Sequence, residues 1–165
     1  LCYQTPSLMV GYFKNALATD EIIEVDDGGN RWIHTGDLGY VDEDGFTFIK
    51  GRIKRIFTTF GSDGLMYKLF PQRIEEFISK MPEVSACGVV VKEDPKKLHI
   101  AIAYVELKDK SCNQNEIEHD ITERLKAELP DHLWPKYICV IESMPLTGSG
   151  KIDYRALEKE AEKED

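Results

Sequence analysis

The sequence is short of several things that would each have pointed to a function. Basic residues are outnumbered, with 21 Lys and Arg against 30 Asp and Glu in 165 residues, a formal net charge of −9. Gripping a phosphate backbone takes clustered Lys and Arg, so no nucleic-acid partner is expected. No stretch approaches the roughly eighteen apolar residues of a membrane-crossing helix, so no span is expected. The first residues lack the charged-then-apolar layout of a secretory leader, and Leu1 in place of Met suggests an excised fragment. Cysteine is sparse: positions 2, 87, 112 and 139 form no CxxC and no close pair, which argues against a zinc site or a disulfide framework. Cys87 and Cys139 sit in apolar runs and read as small core side chains of a reduced, cytoplasmic protein. The histidines at 34, 99, 119 and 132 form no HxH or HxxxH, so no metal site is expected.

What remains is the make-up of a globular domain, with 42% apolar and 31% charged residues. Up to about Arg52 the chain is rich in turns and short extended runs, and "DEDG" between "LGYV" and "FTFI" signals a hairpin with Gly45 at positive φ. Beyond Gly51 a strand is expected at "IKRIFTT", then an irregular loop "FGSDGLMYKLFP". In "PQRIEEFISKM", Ile74, Phe77, Ile78 and Met81 share one helical face, and Pro71 suits a helix start. "VSACGVVVKED" reads as a buried strand, and "KKLHIAIAYVEL" alternates into a second. Asn113 and Glu116 open a helix with a capping-box-like spacing, placing Ile117, Ile121 and Leu125 on one face. "WPKYICVIESMP" supplies a third strand. Asp153 caps a last helix whose charged end, "EKEAEKED", reads as a solvated, fraying terminus. The fold class is α+β: a roughly three-stranded sheet packed by amphipathic helices, preceded by β-hairpin material.

Two motifs invite chemistry. "GSGK" at 148–151 is not a Walker loop, because Pro145 stands where that pattern needs Gly and Ile152 where it needs Ser or Thr. Gly148 and Gly150 still leave an open, mobile loop that brings the Lys151 ammonium to a phosphate or carboxylate oxygen. A plain surface lysine on a glycine loop fits the same letters. "TGD" at 35–37 is equally compatible with a turn in which Asp37 caps local amides.

Taken together, "TGDLGYVDEDGFTFIKGRIKR" and, about a hundred residues on, "PLTGSGKIDYRAL" resemble the ending of the adenylate-forming enzymes. These are the acyl- and aryl-CoA synthetases, the adenylation domains of non-ribosomal peptide synthetases, and the luciferases. The upstream "VGYFKNALATDEII" is similar to the "GYYNNPEAT" region that precedes TGD in acyl-CoA synthetases.

The resemblance implies two pieces: residues 1–52 from the end of a large N-terminal domain, incomplete here, and 53–165 as a mobile C-terminal lid. It implies that Asp37 accepts hydrogen bonds from both ribose hydroxyls of ATP or AMP, that Arg52 adds donors to the same ribose, and that Lys54 is the hinge. Lys151 would bridge the substrate carboxylate and the α-phosphate during adenylation, and Gly61 would line the thiol tunnel in the second step. ATP, Mg2+ carried on its phosphates, CoA and a carboxylic acid are the implied cofactor and substrates; the missing N-terminal domain is the implied partner. The implied function is that of an ATP-dependent acyl- or aryl-acid CoA ligase, not active as this piece alone. Adenylation domains that load a carrier protein more often carry Asp at the hinge and an arginine-containing glycine loop, so Lys54 and "FGSDG" favour the CoA ligase. A non-catalytic α+β binding module is the alternative from another class. The sequence departs from the family pattern in placing Pro71 ten residues after Gly61 and Arg73 where the first Glu of "YPxEIE" is expected.

Overall fold

The computed structural model describes residues 1–163. The final two positions of the charged tail, expected to fray, lie outside the described residues. The chain divides into two compact units, Leu1–Lys54 and Arg55–Asp165.

The first unit is made of short strands: β1 (Cys2–Tyr3), β2 (Ile23–Val25), β3 (Arg31–His34), β4 (Asp37–Val41) and β5 (Thr47–Arg52), with one helical turn and a half, α1 (Ala16–Asp20), before β2. β1, β3 and β2 form an antiparallel sheet in that order. The β2–β3 turn is organised by Asp26, whose carboxylate accepts from the amides of Gly28 at 2.9 Å and Asn30 at 2.8 Å and from the Trp32 indole at 3.0 Å. β4 and β5 form the hairpin signalled by "DEDG": Asp42 Oδ1 accepts from the amides of Asp44 and Phe46, and Gly45 lies at φ +86°.

The second unit starts with β6 (Phe57–Phe60), β7 (Met66–Leu69) and α2 (Pro71–Ile78). It continues with the long strands β8 (Val84–Asp94) and β9 (Leu98–Leu107), then α3 (Gln114–Glu128), β10 (Tyr137–Ile141) and α4 (Tyr154–Ala161). The main sheet has the order β10-β9-β8, with β8 and β9 antiparallel and β10 parallel to β9. A parallel return needs a crossover, and α3 supplies it.

Both faces of the sheet are covered. Ala101, Ala103, Val105 and Leu107 of β9 turn toward a core with Ile74, Ile78, Ile121 and Leu125 from α2 and α3. Ile102 and Tyr104 turn the other way and pack with Leu157 and Ala161 of α4. This explains why seven of the ten residues of β9 are buried although its sequence alternates. Burying each of Ile74 and Ile78 completely is worth roughly 1.5–3 kcal/mol.

Three local expectations are corrected. "IKRIFTT" is not one strand: Ile53–Arg55 is a 3-10 turn and the strand is Phe57–Phe60. "FGSDGLMYKLFP" is not irregular, because β7 pairs with β6 from Phe57↔Leu69 to Phe60↔Met66. The intervening turn closes through Gly61 N to Leu65 O at 2.9 Å and Leu65 N to Asp63 Oδ1 at 2.9 Å. α2 ends at Ile78, short of Met81: Ser79 N still donates to Glu75 O, but Lys80 N and Met81 N donate to Phe77 O and Ile78 O, the tighter bonds of a closing turn before Pro82. The caps stand as expected, Asn113 Oδ1 accepting from Asn115 N and Asp153 Oδ1 from Ala156 N. Among the described residues no helix is long and apolar enough to cross a membrane.

Candidate active site

In the first unit, the β4–β5 register sets Asp37 opposite Arg52. Arg52 Nε lies 3.0 Å from Asp37 Oδ1, with the two side chains 62% and 21% exposed, and the guanidinium also donates to the Thr35 carbonyl. Gly36, at φ +72°, makes the turn that lets the Thr35 carbonyl and the Asp37 carboxylate meet the same arginine. Thr35 Oγ1 in turn accepts from the Asp37 amide at 3.0 Å. One Asp37 oxygen is engaged by Arg52, and the carboxylate keeps acceptor capacity for a pair of hydroxyls. Lys54 is exposed, in the 3-10 turn Ile53–Arg55, and is the last residue of this unit.

In the second unit, Lys151 is exposed on a loop that is closed by hydrogen bonds, where the glycines alone suggest an open one. Thr147 N donates to Lys151 O at 2.7 Å, Lys151 N to Thr147 Oγ1 at 3.2 Å, and Gly150 N to Thr147 O at 2.9 Å. A bridge between Leu146 and Ile152 seals the base, and Asp153 N donates to Pro145 O at 2.8 Å. Ile152 packs against the core beneath α4, so the loop is rooted in the unit while its lysine projects from it.

Gly61 begins the β6–β7 turn. A Cβ there would meet Asp63 Oδ1 and the Tyr67 ring at 2.8 Å, so glycine has a packing reason at this position. The turn is tied down from outside: Ser62 N donates to Asp131 Oδ2 at 2.6 Å, and Tyr67 stacks on His132 with centroids 4.5 Å apart. Asp131 is held below the usual carboxylate range, chiefly by Ser62. Beside this turn lies a cleft of about 490 Å³ whose lining includes His99, Trp134 and three lysines, Lys96, Lys97 and Lys136. Lys136 pairs with Asp94 at 3.2 Å; the pair raises the lysine, and Asp94 is lowered mainly by the amides of Lys97 and Lys96.

The structure thus brings Asp37 and Arg52 together in one hairpin and places Lys151 and Gly61 on two separate loops of the other unit. Sequence reasoning missed Arg55. Its guanidinium grips Glu75 with Nη2–Oε1 at 2.7 Å and Nη1–Oε2 at 3.3 Å, and Nη2 also donates to Val89 O at 2.8 Å. Burial lowers the Arg55 pKa, and the Glu75 contacts outweigh that, so the net shift is upward. A usable signal was present: Glu75 shares the buried face of α2 with Pro71, Ile74 and Ile78, and a buried carboxylate needs a partner.

The second unit is therefore a small α+β domain that presents one lysine from a closed C-terminal loop. Residues 73–151 match the family model of the AMP-binding enzyme C-terminal domain, and this stretch of the second unit is a domain of that family. It is 33% identical over 152 residues to the 2-succinylbenzoate–CoA ligase of Bacillus cereus (strain ATCC 10987 / NRS 248), covering 92% of this chain and 28% of that protein. Similar solved structures include o-succinylbenzoate CoA synthetase (MenE) from Bacillus subtilis in complex with the acyl-adenylate intermediate OSB-AMP. That structure has a TM-score of 0.75 and 26% identity over 95% of this chain and 29% of that one. ATP-bound MatB from Rhodopseudomonas palustris aligns with a TM-score of 0.74 and 26% identity over 92% and 28%. The chain spans less than a third of the length of these relatives.

Proposed function

We propose that the chain is the C-terminal part of an ATP-dependent acyl- or aryl-acid CoA ligase. The observation that carries this reading is the likeness to an acid–CoA ligase over 92% of the chain, with Asp37, Arg52 and Lys151 all in place at their motifs. In the first step a carboxylate oxygen attacks the α-phosphorus of ATP; the acyl–phosphate bond forms, the bond to the β-phosphate breaks, and pyrophosphate leaves. In the second, the CoA sulfur attacks the acyl carbon and AMP leaves with the bonding electrons.

Each residue then has a task its chemistry suits. Asp37 accepts from the ribose hydroxyls, and Arg52 orients that carboxylate while adding donors of its own. Lys151 brings a compact positive charge to the oxygens on which negative charge builds, the largest single kind of help a protein gives such a transfer. Mg2+ accompanies ATP through its phosphates. Among the described residues no group of three or more His, Cys, Asp or Glu is placed to hold a metal ion. In this reading Lys96 and Lys97, which line the cleft beside the Gly61 turn, would supply positive charge to the phosphates of CoA. A cytoplasmic location belongs to the same reading.

The test is acid-dependent exchange of pyrophosphate into ATP by the full-length protein across a panel of carboxylic acids, followed by detection of the CoA thioester. Exchange with one class of acid and a matching thioester support the ligase. Exchange with transfer only to a carrier-protein thiol would move the chain to the carrier-loading enzymes. No exchange, together with no tight binding of any acyl-sulfamoyl adenosine, would leave a non-catalytic module.

A further inference from the structure

The chain passes from the first compact unit to the second between Lys54 and Arg55, so Arg55 is the first residue of the second unit. It is also that unit's most heavily anchored charged side chain near the junction. Both Nη1 and Nη2 grip Glu75 in α2, and Nη2 also donates to the Val89 carbonyl in β8. Glu75 Oε1 also accepts from the Val89 amide at 2.9 Å, so helix, strand and junction share one buried node. The third contact goes elsewhere: the guanidinium carbon lies 4.0 Å from the centre of the Tyr154 ring.

Tyr154 is the first residue of α4 and stands three positions after Lys151. Burial first, then the nearby Glu75 carboxylate, push its phenol up, so the ring is neutral and offers its face to the cation. Between Tyr154 and Lys151 the chain has little freedom. Asp153 caps the helix and is held to Pro145 by its own amide, and Ile152 is both bridged to Leu146 and packed into the core. A short path therefore runs from the junction residue, through the contact of its guanidinium with Tyr154, to the base of the lysine loop.

We propose that Arg55 and Tyr154 are positioning residues: they fix the base of the Lys151 loop to Arg55, the first residue of the second unit, so that the two ends of this unit hold the lysine as one body. The inference rests on the proposed adenylation role of Lys151. Neither residue is asked to touch substrate. Their effect is on where the lysine ammonium arrives, and a displacement of about an ångström is enough to cost up to a hundredfold in rate.

The test uses the full-length protein with two variants at one site, since Arg55 itself cannot be removed without stranding Glu75. Tyr154→Leu keeps an apolar side chain but loses the ring face, whereas Tyr154→Phe keeps the face and loses only the hydroxyl. Tyr154→Leu should lower kcat for acid-dependent pyrophosphate exchange by about tenfold or more, with KM for ATP unchanged because Asp37 and Arg52 are untouched. The rate of thioester formation from supplied acyl-adenylate should stay within about twofold, and Tyr154→Phe should restore exchange. A general loss of structure would instead lower both half-reactions together. Wild-type exchange in Tyr154→Leu, or parallel losses in both half-reactions, would overturn the positioning role and leave the ligase reading standing. No acid-dependent exchange in the wild-type protein would overturn both.

Discussion

Arg52 meets Asp37 across the β4–β5 ladder at 3.0 Å, and the same guanidinium holds the Thr35 carbonyl, so the carboxylate is aimed by an arginine fifteen residues away in sequence. The pair is too exposed to matter much for stability, since exposed ion pairs contribute about 0–1 kcal/mol. Its value lies in what the carboxylate can accept. In the full-length protein Asp37→Asn should raise KM for ATP by at least about tenfold, as loss of a charge-assisted hydrogen bond costs about 1.5–3 kcal/mol. It should also erase discrimination against an ATP analogue lacking both ribose hydroxyls. Undiminished discrimination in the variant would remove Asp37 from nucleotide binding.

The Arg55–Glu75 pair is of the opposite kind. Glu75 is 9% exposed and accepts from both Arg55 and the Val89 amide. Removing one partner of a buried pair strands the other, at about 3–5 kcal/mol. Glu75→Ala should lose that much in urea unfolding of the second unit. Glu123→Ala breaks the exposed helix pair with Lys126 and should leave the urea midpoint close to wild type. Equal effects of the two substitutions would contradict this account of the core.

Cysteine reactivity should follow burial. Desolvation, helped by the Glu75 carboxylate, pushes the Cys87 thiol far above its ordinary range, whereas Cys2 is exposed. Since the thiolate is the nucleophile, an aromatic disulfide reagent should label Cys87 in the native chain at least about a hundredfold more slowly than Cys2. Mass spectrometry of timed aliquots reads the order directly, and equal rates would show that the β8 core opens.

Asp26 provides a pH marker in the first unit. The Trp32 indole first, then Asn30 and the Gly28 amide, lower its carboxyl from 3.8 to about 2. A depressed folded-state value means that the contribution is complete above about pH 4 and is lost as pH falls toward 2. The Trp32 indole proton resonance should therefore titrate with a midpoint near 2. A midpoint near 3.8 would mean that the turn does not hold the carboxylate.

Much of this was legible from the letters because it is local. "DEDG" set a hairpin, Asn113 and Asp153 set helix starts, and the spacing of Ile74 and Ile78 set a buried helical face. What escaped is long-range or hidden by punctuation. Gly61, Asp63 and Gly64 made "GSDGLMYKL" read as loop, although Tyr67 and Leu69 turn inward while Met66 and Lys68 face out, the alternation of a strand. Nothing near Tyr137 announces that its strand lies parallel to one beginning at Leu98. The Lys151 loop looked open because its glycines dominate, but Thr147 closes it through its hydroxyl and amide. Arg55, Glu75 and Tyr154 come from three elements, and only the fold brings them together.

The most direct test of the account replaces one side chain. In the full-length protein, Lys151→Ala should lower acid-dependent pyrophosphate exchange by about 100-fold to 1000-fold. The melting temperature and the rate of thioester formation from supplied acyl-adenylate should stay near wild type, because the ammonium projects from a loop closed by backbone and Thr147 contacts. Exchange at near wild-type rate in the variant would contradict the assignment of Lys151 to the adenylation step.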